Sequence, residues 1–312
     1  MTTEIQKKQV HPVVAFKNYL NSPLVLQEVT KRLGKNSGDF TNSVIELISG
    51  NETLQKCNPA KLLQCALKAA SLHLPLNPQL GKSYVITFNN TIKNPDGTTK
   101  KEVVPTFIIG YKGLVQLAKN SGQIKILNTG VIYEGMLDEN GFDYLSGEIK
   151  ITGKPTSKKV EGFFAHMVEL NGFTKTLYMT AEEMAHYAKI YSPSLKFSTK
   201  VTEETLLQKF NLHSEKGAEV GVGWLADSIT MAKKVVLKQL LDKWGNLSIE
   251  IQNAIANDEQ YEMNPEADRN SSASEDKPVW TDATEVKEEV DKETGEIVTE
   301  KKSFPGDDDT ES

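Results

Sequence analysis

The chain changes its hydrophobic rhythm near residue 72. From about Pro12 to Leu72 it reads as helices, and Asn58 followed by Pro59 supplies an N-cap and first-turn pair for a helix through Lys61–Ser71. Asp39 is a second candidate cap, with Gly50 closing that segment. The period then drops to that of strands. Ser83–Phe88 and Val103–Ile109 predict a hairpin whose loop tip is Asn94-Pro95-Asp96-Gly97, a strong turn signal. A helix follows from Gly110 to Asn120 and stops at Ser121-Gly122. Ile124–Tyr133 is a β-branched strand, and Glu161–Leu170 and Phe173–Met179 flank Asn171-Gly172, which favours a tight type I′ turn. Thr180-Ala-Glu-Glu183 has the spacing of a capping box, opening a helix to about Tyr191. A short helix is expected over Glu203–Asn211 and a long one over Leu225–Trp244, with Gly245 as its C′ glycine. Beyond about Asn257 core residues become scarce and Asp, Glu, Ser, Thr and Lys dominate, the composition of a disordered tail. Helices first, then hairpins with interspersed helices, predict an α+β fold: an antiparallel sheet with packed helices.

Two of these helices carry unusual faces. With about 100° per residue, Lys112, Gln116 and Lys119 share one side of the Gly110–Asn120 helix, while Tyr111, Leu114, Val115 and Ala118 form the buried side. Surface helices usually interleave both signs to gain i,i+4 pairs. Here the first acid after Lys112 is Glu134. On the long helix, Leu225, Ile229, Ala232, Val236 and Leu240 make an apolar stripe with Lys233 inside its arc, and Lys234 and Lys238 fall on the opposite side. A lysine in an apolar arc either snorkels to water or meets a phosphate in a shared groove.

Charge sharpens this picture. The net charge of −6 averages unlike segments: 16 Lys/Arg against 7 Asp/Glu over residues 1–130, 14 against 18 over 131–260, and 6 against 17 over 261–312. The first segment presents positive potential to a polyanion, and the last is an acidic tail. Only Arg32 and Arg269 are arginines, so the bidentate arginine–guanine contact that dominates sequence-specific readout is almost absent. Lysine neutralises phosphate without reading sequence. Aromatic residues make up 7% and do not interleave with lysines along a strand, so base stacking is a minor device and the backbone is the expected grip. Cys57 and Cys65 fall in or near one predicted helix, too far apart for a disulfide. Reduced thiols, no 18-residue apolar run and no signal-like apolar centre in the first residues point to a cytoplasmic location with no membrane.

Other chemistry is weakly represented. Gly81-Lys82-Ser83 resembles the end of a phosphate-binding loop, but Leu76 stands where that motif requires glycine and a strand follows instead of a helix. Glu148 and Lys150, with Asp138 or Asp143 upstream, imitate the carboxylate pattern of magnesium-dependent nucleases, which is the alternative function. The five histidines show no metal spacing and no nucleophile–base pair is visible, so a non-enzymatic role without a resident cofactor is expected; Mg2+ is compatible but not implied.

Four blocks carry a resemblance: SLHLPLNPQLGKSYVITF (71–88), FIIGYKGLVQLAKNSGQI (107–124), VIYE (131–134) and ADSITMAKKVVLKQLLDKWG (226–245). They are similar to the RecT-type single-strand annealing proteins of phages and prophages, over roughly Val10 to Leu247. Asn120 departs from the arginine frequent in that family. The resemblance implies a compact annealing-protein core. It also implies ATP-independent binding of single-stranded DNA, annealing of complements through a duplex intermediate, and homo-oligomeric rings or helical filaments. A 5′→3′ exonuclease and a host single-strand binding protein are the implied companions. The expected division is a DNA-binding, annealing and oligomerisation core over 1–257 and a partner-binding acidic tail over 258–312. Within the core, Lys82, Lys112, Lys119, Lys125, Lys233 and Lys234 are expected to neutralise phosphates, with Gln116 in the same row. Gly110 and Gly113 would let backbone amides approach the strand, and Tyr111 packs either on a sugar or in the core.

Overall fold

The computed structural model describes residues 11–93, 98–143, 145–196, 198–219, 223–249 and 251–256. The expected turn tip at Asn94–Gly97 and the tail over 258–312 lie outside them.

Helices α1 (Pro12–Leu20), α2 (Pro23–Leu33) and α3 (Ser37–Ser49) close on one another through Phe16, Leu20, Val25, Val29, Phe40, Val44 and Ile48. Proline opens α1 and α2, where its missing N–H costs nothing. Asp39 is not a cap: α3 starts two residues earlier, and the carboxylate sits in its first turn, where the helix dipole favours it. Gly50 closes α3 as expected. Helix α4 (Pro59–Ser71) is capped by the Asn58 side chain, which accepts from the N–H groups of Ala60 and Lys61. It lies against a two-stranded hairpin, β1 (Ser83–Lys93) and β2 (Thr99–Ile109), paired from Ser83↔Ile109 to Lys93↔Thr99 and longer than the sequence pattern indicates. Lys61 reaches Glu102 at 2.9 Å, and the Cys65 thiol donates to the Pro105 carbonyl. Cys57 lies ahead of α4, also buried and free, with its thiol pushed up to about 11 by burial and by the Glu102 charge.

The exit from α4 contains the one non-glycine residue at positive φ among the described residues, His73 at φ 55. Its N–H donates to Ala70 and that of Leu74 to Ala69, a Schellman closure that delivers Leu74 to the core. A left-handed L-residue costs about 1–2 kcal/mol, part of which glycine forfeits again by its freedom in the unfolded chain. His73→Gly is therefore expected to raise the unfolding free energy by about 0.5–1 kcal/mol in urea, with an unchanged m-value.

The second half is built on a three-stranded antiparallel sheet in the order β3 (Ile124–Tyr133), β6 (Val160–Glu169), β7 (Thr174–Thr180). Phe163, Ala165 and Met167 alternate inward from the central strand. The β6–β7 turn is not type I′. Asn171 keeps a negative φ and only Gly172 is left-handed, while Gly172 donates to the Glu169 carbonyl and Glu169 to Phe173. That is the three-residue loop of a type I turn followed by a left-handed glycine. Between β3 and β6, a small hairpin of β4 (Leu137–Phe142) and β5 (Ile149–Ile151) was not expected from the sequence.

Helix α5 (Tyr111–Asn120) precedes the sheet; α6 (Ala181–Tyr191), the single turn α7 (Pro193–Lys196), α8 (Glu203–Lys216) and α9 (Ser228–Trp244) follow it. The capping box on α6 is formed in both directions between Thr180 and Glu183. Helix α9 begins later than expected. Asp227 caps it, and Leu225 belongs to a separate 3-10 turn over Gly223–Leu225. It packs against all three strands of the sheet and against α5 and α8, so it is buried nearly all round. Gly245 is extended rather than left-handed; glycine suits it because a Cβ would fall 2.6 Å from the Leu241 carbonyl oxygen. Leu247, Ile251 and Ile255 then add to the core, the last two from a helical stretch over 251–256. The described residues thus form a mixed helix and antiparallel-sheet, α+β architecture without a barrel. None of their helices is long and apolar enough to cross a membrane.

Candidate nucleic-acid interface

The interface is organised by a close backbone crossing. Ahead of β1, the Asn77 side chain caps a 3-10 turn over Pro78–Leu80 and Gly81 takes φ 68. The fully buried Ser83 donates its hydroxyl to the Pro75 carbonyl. The first turn of α5 rests directly on this segment. The Gly110 N–H donates to the Lys82 carbonyl at 2.9 Å. A Cβ on Gly110 would meet the Gly81 carbonyl oxygen at 2.3 Å, and one on Gly113 would meet that of Lys82 at 2.0 Å. The two glycines of the Gly110-Tyr111-Lys112-Gly113 block are therefore explained by packing of α5 onto the chain at Gly81–Lys82.

That crossing brings Lys82 and Lys112 together. The Lys112 stem lies against Gly81, its Cδ 3.4 Å from where a Cβ would project, and its ammonium end is exposed. Both lysines stand at the positive end of the α5 dipole, which has no side-chain cap and no acid in its first turn. Helices α6 and α8 differ, each with a capping box and two first-turn glutamates, Glu182 and Glu183 or Glu203 and Glu204, whereas α2 also lacks both a side-chain cap and a first-turn acid. A cation at an uncompensated helix N-terminus costs about 0.3–1 kcal/mol, so fold stability does not account for Lys112.

Tyr111 joins α5 to the rest of the site. Its hydroxyl lies 2.5 Å from that of Thr129 on β3, its ring packs against the core, and the Lys233 ammonium of α9 sits 5.6 Å from the ring centroid. Of the two roles open to Tyr111, the structure shows the packing one. Lys233 emerges from the apolar arc of α9 onto this ring, a pairing of residues far apart in sequence. Lys234 and Lys238 were expected on a face away from the apolar stripe, yet they are 5% and 2% exposed. A helical wheel assumes that the side opposite the stripe faces water, whereas α9 has neighbours on both sides.

The remaining residues of the row divide. Lys119 in the last turn of α5 and Lys125, at the irregularity between Ile124 and Ile126 in β3, are exposed. Gln116 instead ties α5 to the exit of α4, donating from Nε2 to the His73 carbonyl at 3.1 Å. Among the described residues, none of Lys82, Lys112, Lys119, Lys125 and Lys233 is ion-paired to a carboxylate, whereas Lys61, Lys159 and Lys209 all are.

The carboxylates of the alternative site have other duties. Asp138 accepts from the Thr152 hydroxyl. Asp143 closes a turn by accepting from the Leu145 N–H and the Ser146 hydroxyl, contacts that hold its carboxyl below the usual range. Glu148 and Lys150 are exposed on and beside β5, and among the described residues no three His, Cys, Asp or Glu side chains gather to hold a metal.

Comparison with known proteins agrees with the blocks that meet at this crossing. The model of the RecT family matches residues 38–277. The chain is 32% identical to the protein YqaK of Bacillus subtilis over 291 residues, covering 90% of this chain and 88% of YqaK. It is 28% identical to Protein RecT of Escherichia coli over 209 residues, 66% of this chain and 65% of that protein.

Proposed function

Because the chain belongs to the RecT family, we propose that it binds single-stranded DNA by its phosphate backbone and anneals complementary strands without nucleotide hydrolysis. The observation that carries this reading is the α5 N-terminus, where Lys82 and Lys112 add positive charge to a helix end left without acid or cap. Lys233, held on Tyr111, and the exposed Lys119 and Lys125 continue the cationic surface. Lys234 is assigned to the buried side of α9, and Gly110, Gly113 and Gln116 to the packing of α5.

Ammonium groups grip phosphates and leave base edges free, which pairing with a second strand requires. Each protomer offers few contacts, so useful affinity comes from neighbouring protomers on one strand, in rings or filaments, with the annealed duplex as a further ligand. A 5′→3′ exonuclease and a host single-strand binding protein are the proposed partners, and the acidic 258–312 segment is the proposed docking element. In the direct test, complementary oligonucleotides are mixed with the protein without nucleotide or metal, and duplex formation and assembly mass are followed. Accelerated annealing that weakens with salt is the expected result. No acceleration, or acceleration only with nucleotide, overturns the proposal.

A further inference from the structure

A second cationic cluster lies at the other end of α9. Trp244, the last residue of that helix, packs its ring against the core while remaining partly exposed. Two ammonium groups flank the ring: Lys175 from β7 at 5.2 Å from the centroid, and Lys243 at 5.8 Å. Among the described residues neither is ion-paired to a carboxylate. The carboxylate that anchors this corner, Glu169, is 5% exposed and has both oxygens engaged, one by the Asn246 N–H and the other by Asn171 Nδ2. Lys243 gains from the negative end of the α9 dipole, but Lys175 comes from a different element and has no such reason to be there.

The cluster connects with the α5 surface. The Leu170 N–H at the β6–β7 turn donates to the carbonyl of Gln123, which stands between Lys119 and Lys125 in sequence. Glu169, in the same turn, binds Asn246, two residues beyond Trp244. Hydrogen-bonded neighbours therefore lead from the end of α5 across the turn to Trp244.

Resting on the DNA-binding reading above, we infer that Lys175, Lys243 and Trp244 form a second phosphate-contact point for the same single strand. Trp244 acts as the platform that holds the two lysine stems. With both cations within 5.2 and 5.8 Å of one ring centre, they cannot be more than about 11 Å apart, close enough to meet neighbouring phosphates of one strand. Both ammonium groups can bind one short stretch of backbone, and drawing them toward phosphate changes the surroundings of the indole.

The test uses the full chain, fluorescein-labelled oligo-dT and a salt series, reading anisotropy together with tryptophan emission. Joint Lys175→Ala and Lys243→Ala substitution is expected to weaken binding at least tenfold at 50 mM salt and to lower the salt slope by about 1.4, that is 0.7 for each lost phosphate contact. Arginine at both positions is expected to restore binding. Saturating oligo-dT is expected to change tryptophan emission by an amount lost in Trp244→Phe, which separates this residue from Trp224 and Trp280. If wild-type protein binds but the double alanine variant keeps its affinity and slope, this inference fails and the DNA-binding reading stands. If wild-type protein does not bind, both fall.

Discussion

Gly113→Ala is expected to destabilise the protein by about 3 kcal/mol, near the upper end of the usual cost of forcing extra atoms into a packed site. The added methyl would lie 2.0 Å from the Lys82 carbonyl oxygen and 3.0 Å from Ile109 Cγ2. The first obstacle is backbone, so no rotamer change relieves it, and α5 must back away from the Gly81–Lys82 segment. That motion would strain the bond from the Gly110 N–H to the Lys82 carbonyl and disturb the placing of Lys112 over Gly81, so oligo-dT affinity should fall with stability. The same substitution at Gly38 has the opposite sign. Gly38 lies in the first turn of α3 with nothing within 4 Å of a Cβ, and alanine there should stabilise by up to about 1 kcal/mol. Denaturant unfolding of both variants checks the pair. A Gly113→Ala protein as stable as wild type would mean that the crossing is looser than its geometry indicates.

The contrast between these glycines marks the limit of what the sequence discloses. Local signals were legible because they act over four or five residues: the Asn58-Pro59 start of α4, the Thr180–Glu183 capping box and the bounds of β3 stand where the pattern puts them. The cationic row of α5 was legible too, except that Gln116 has a structural partner supplied by a positive-φ residue 43 positions earlier. What could not be read depends on contacts distant in sequence. The β4–β5 hairpin, LDENGF against IKI, lacks the alternation that marks a half-buried strand. Helix α9 looks amphipathic on a wheel, but neighbours on several sides bury Lys234 and Lys238 and leave Lys233 to emerge onto Tyr111. Aromatics and lysines that never alternate along a strand meet in space, as Tyr111 with Lys233 and Trp244 with Lys175. Gly110 and Gly113 stand out in the sequence block they share, but what requires them, the chain at Gly81–Lys82, lies some thirty residues away.

Replacing Lys112, Lys119 and Lys233 together by alanine is expected to give the largest loss of DNA binding. For a single strand, each phosphate contact contributes about 0.7 to the slope of log affinity against log salt. Extrapolated from molar salt, one contact is then worth about eightfold at 50 mM and about threefold at 200 mM. Three contacts predict a loss of about 500-fold at the lower salt and about 30-fold at the higher, with the slope reduced by about 2. The single variants differ in a way that charge alone does not predict. Lys112→Ala removes a cation from the positive end of α5 and should leave the melting temperature unchanged or slightly raised. Lys233→Ala loses its place on the Tyr111 ring and should cost about 0.5–1 kcal/mol of stability besides its share of affinity. Lys234→Ala, from the buried side of α9, should lower stability while leaving the salt slope at its wild-type value. A triple variant with an unaltered salt slope would show that this row faces only water, and that the family's strand-binding surface lies elsewhere on the chain.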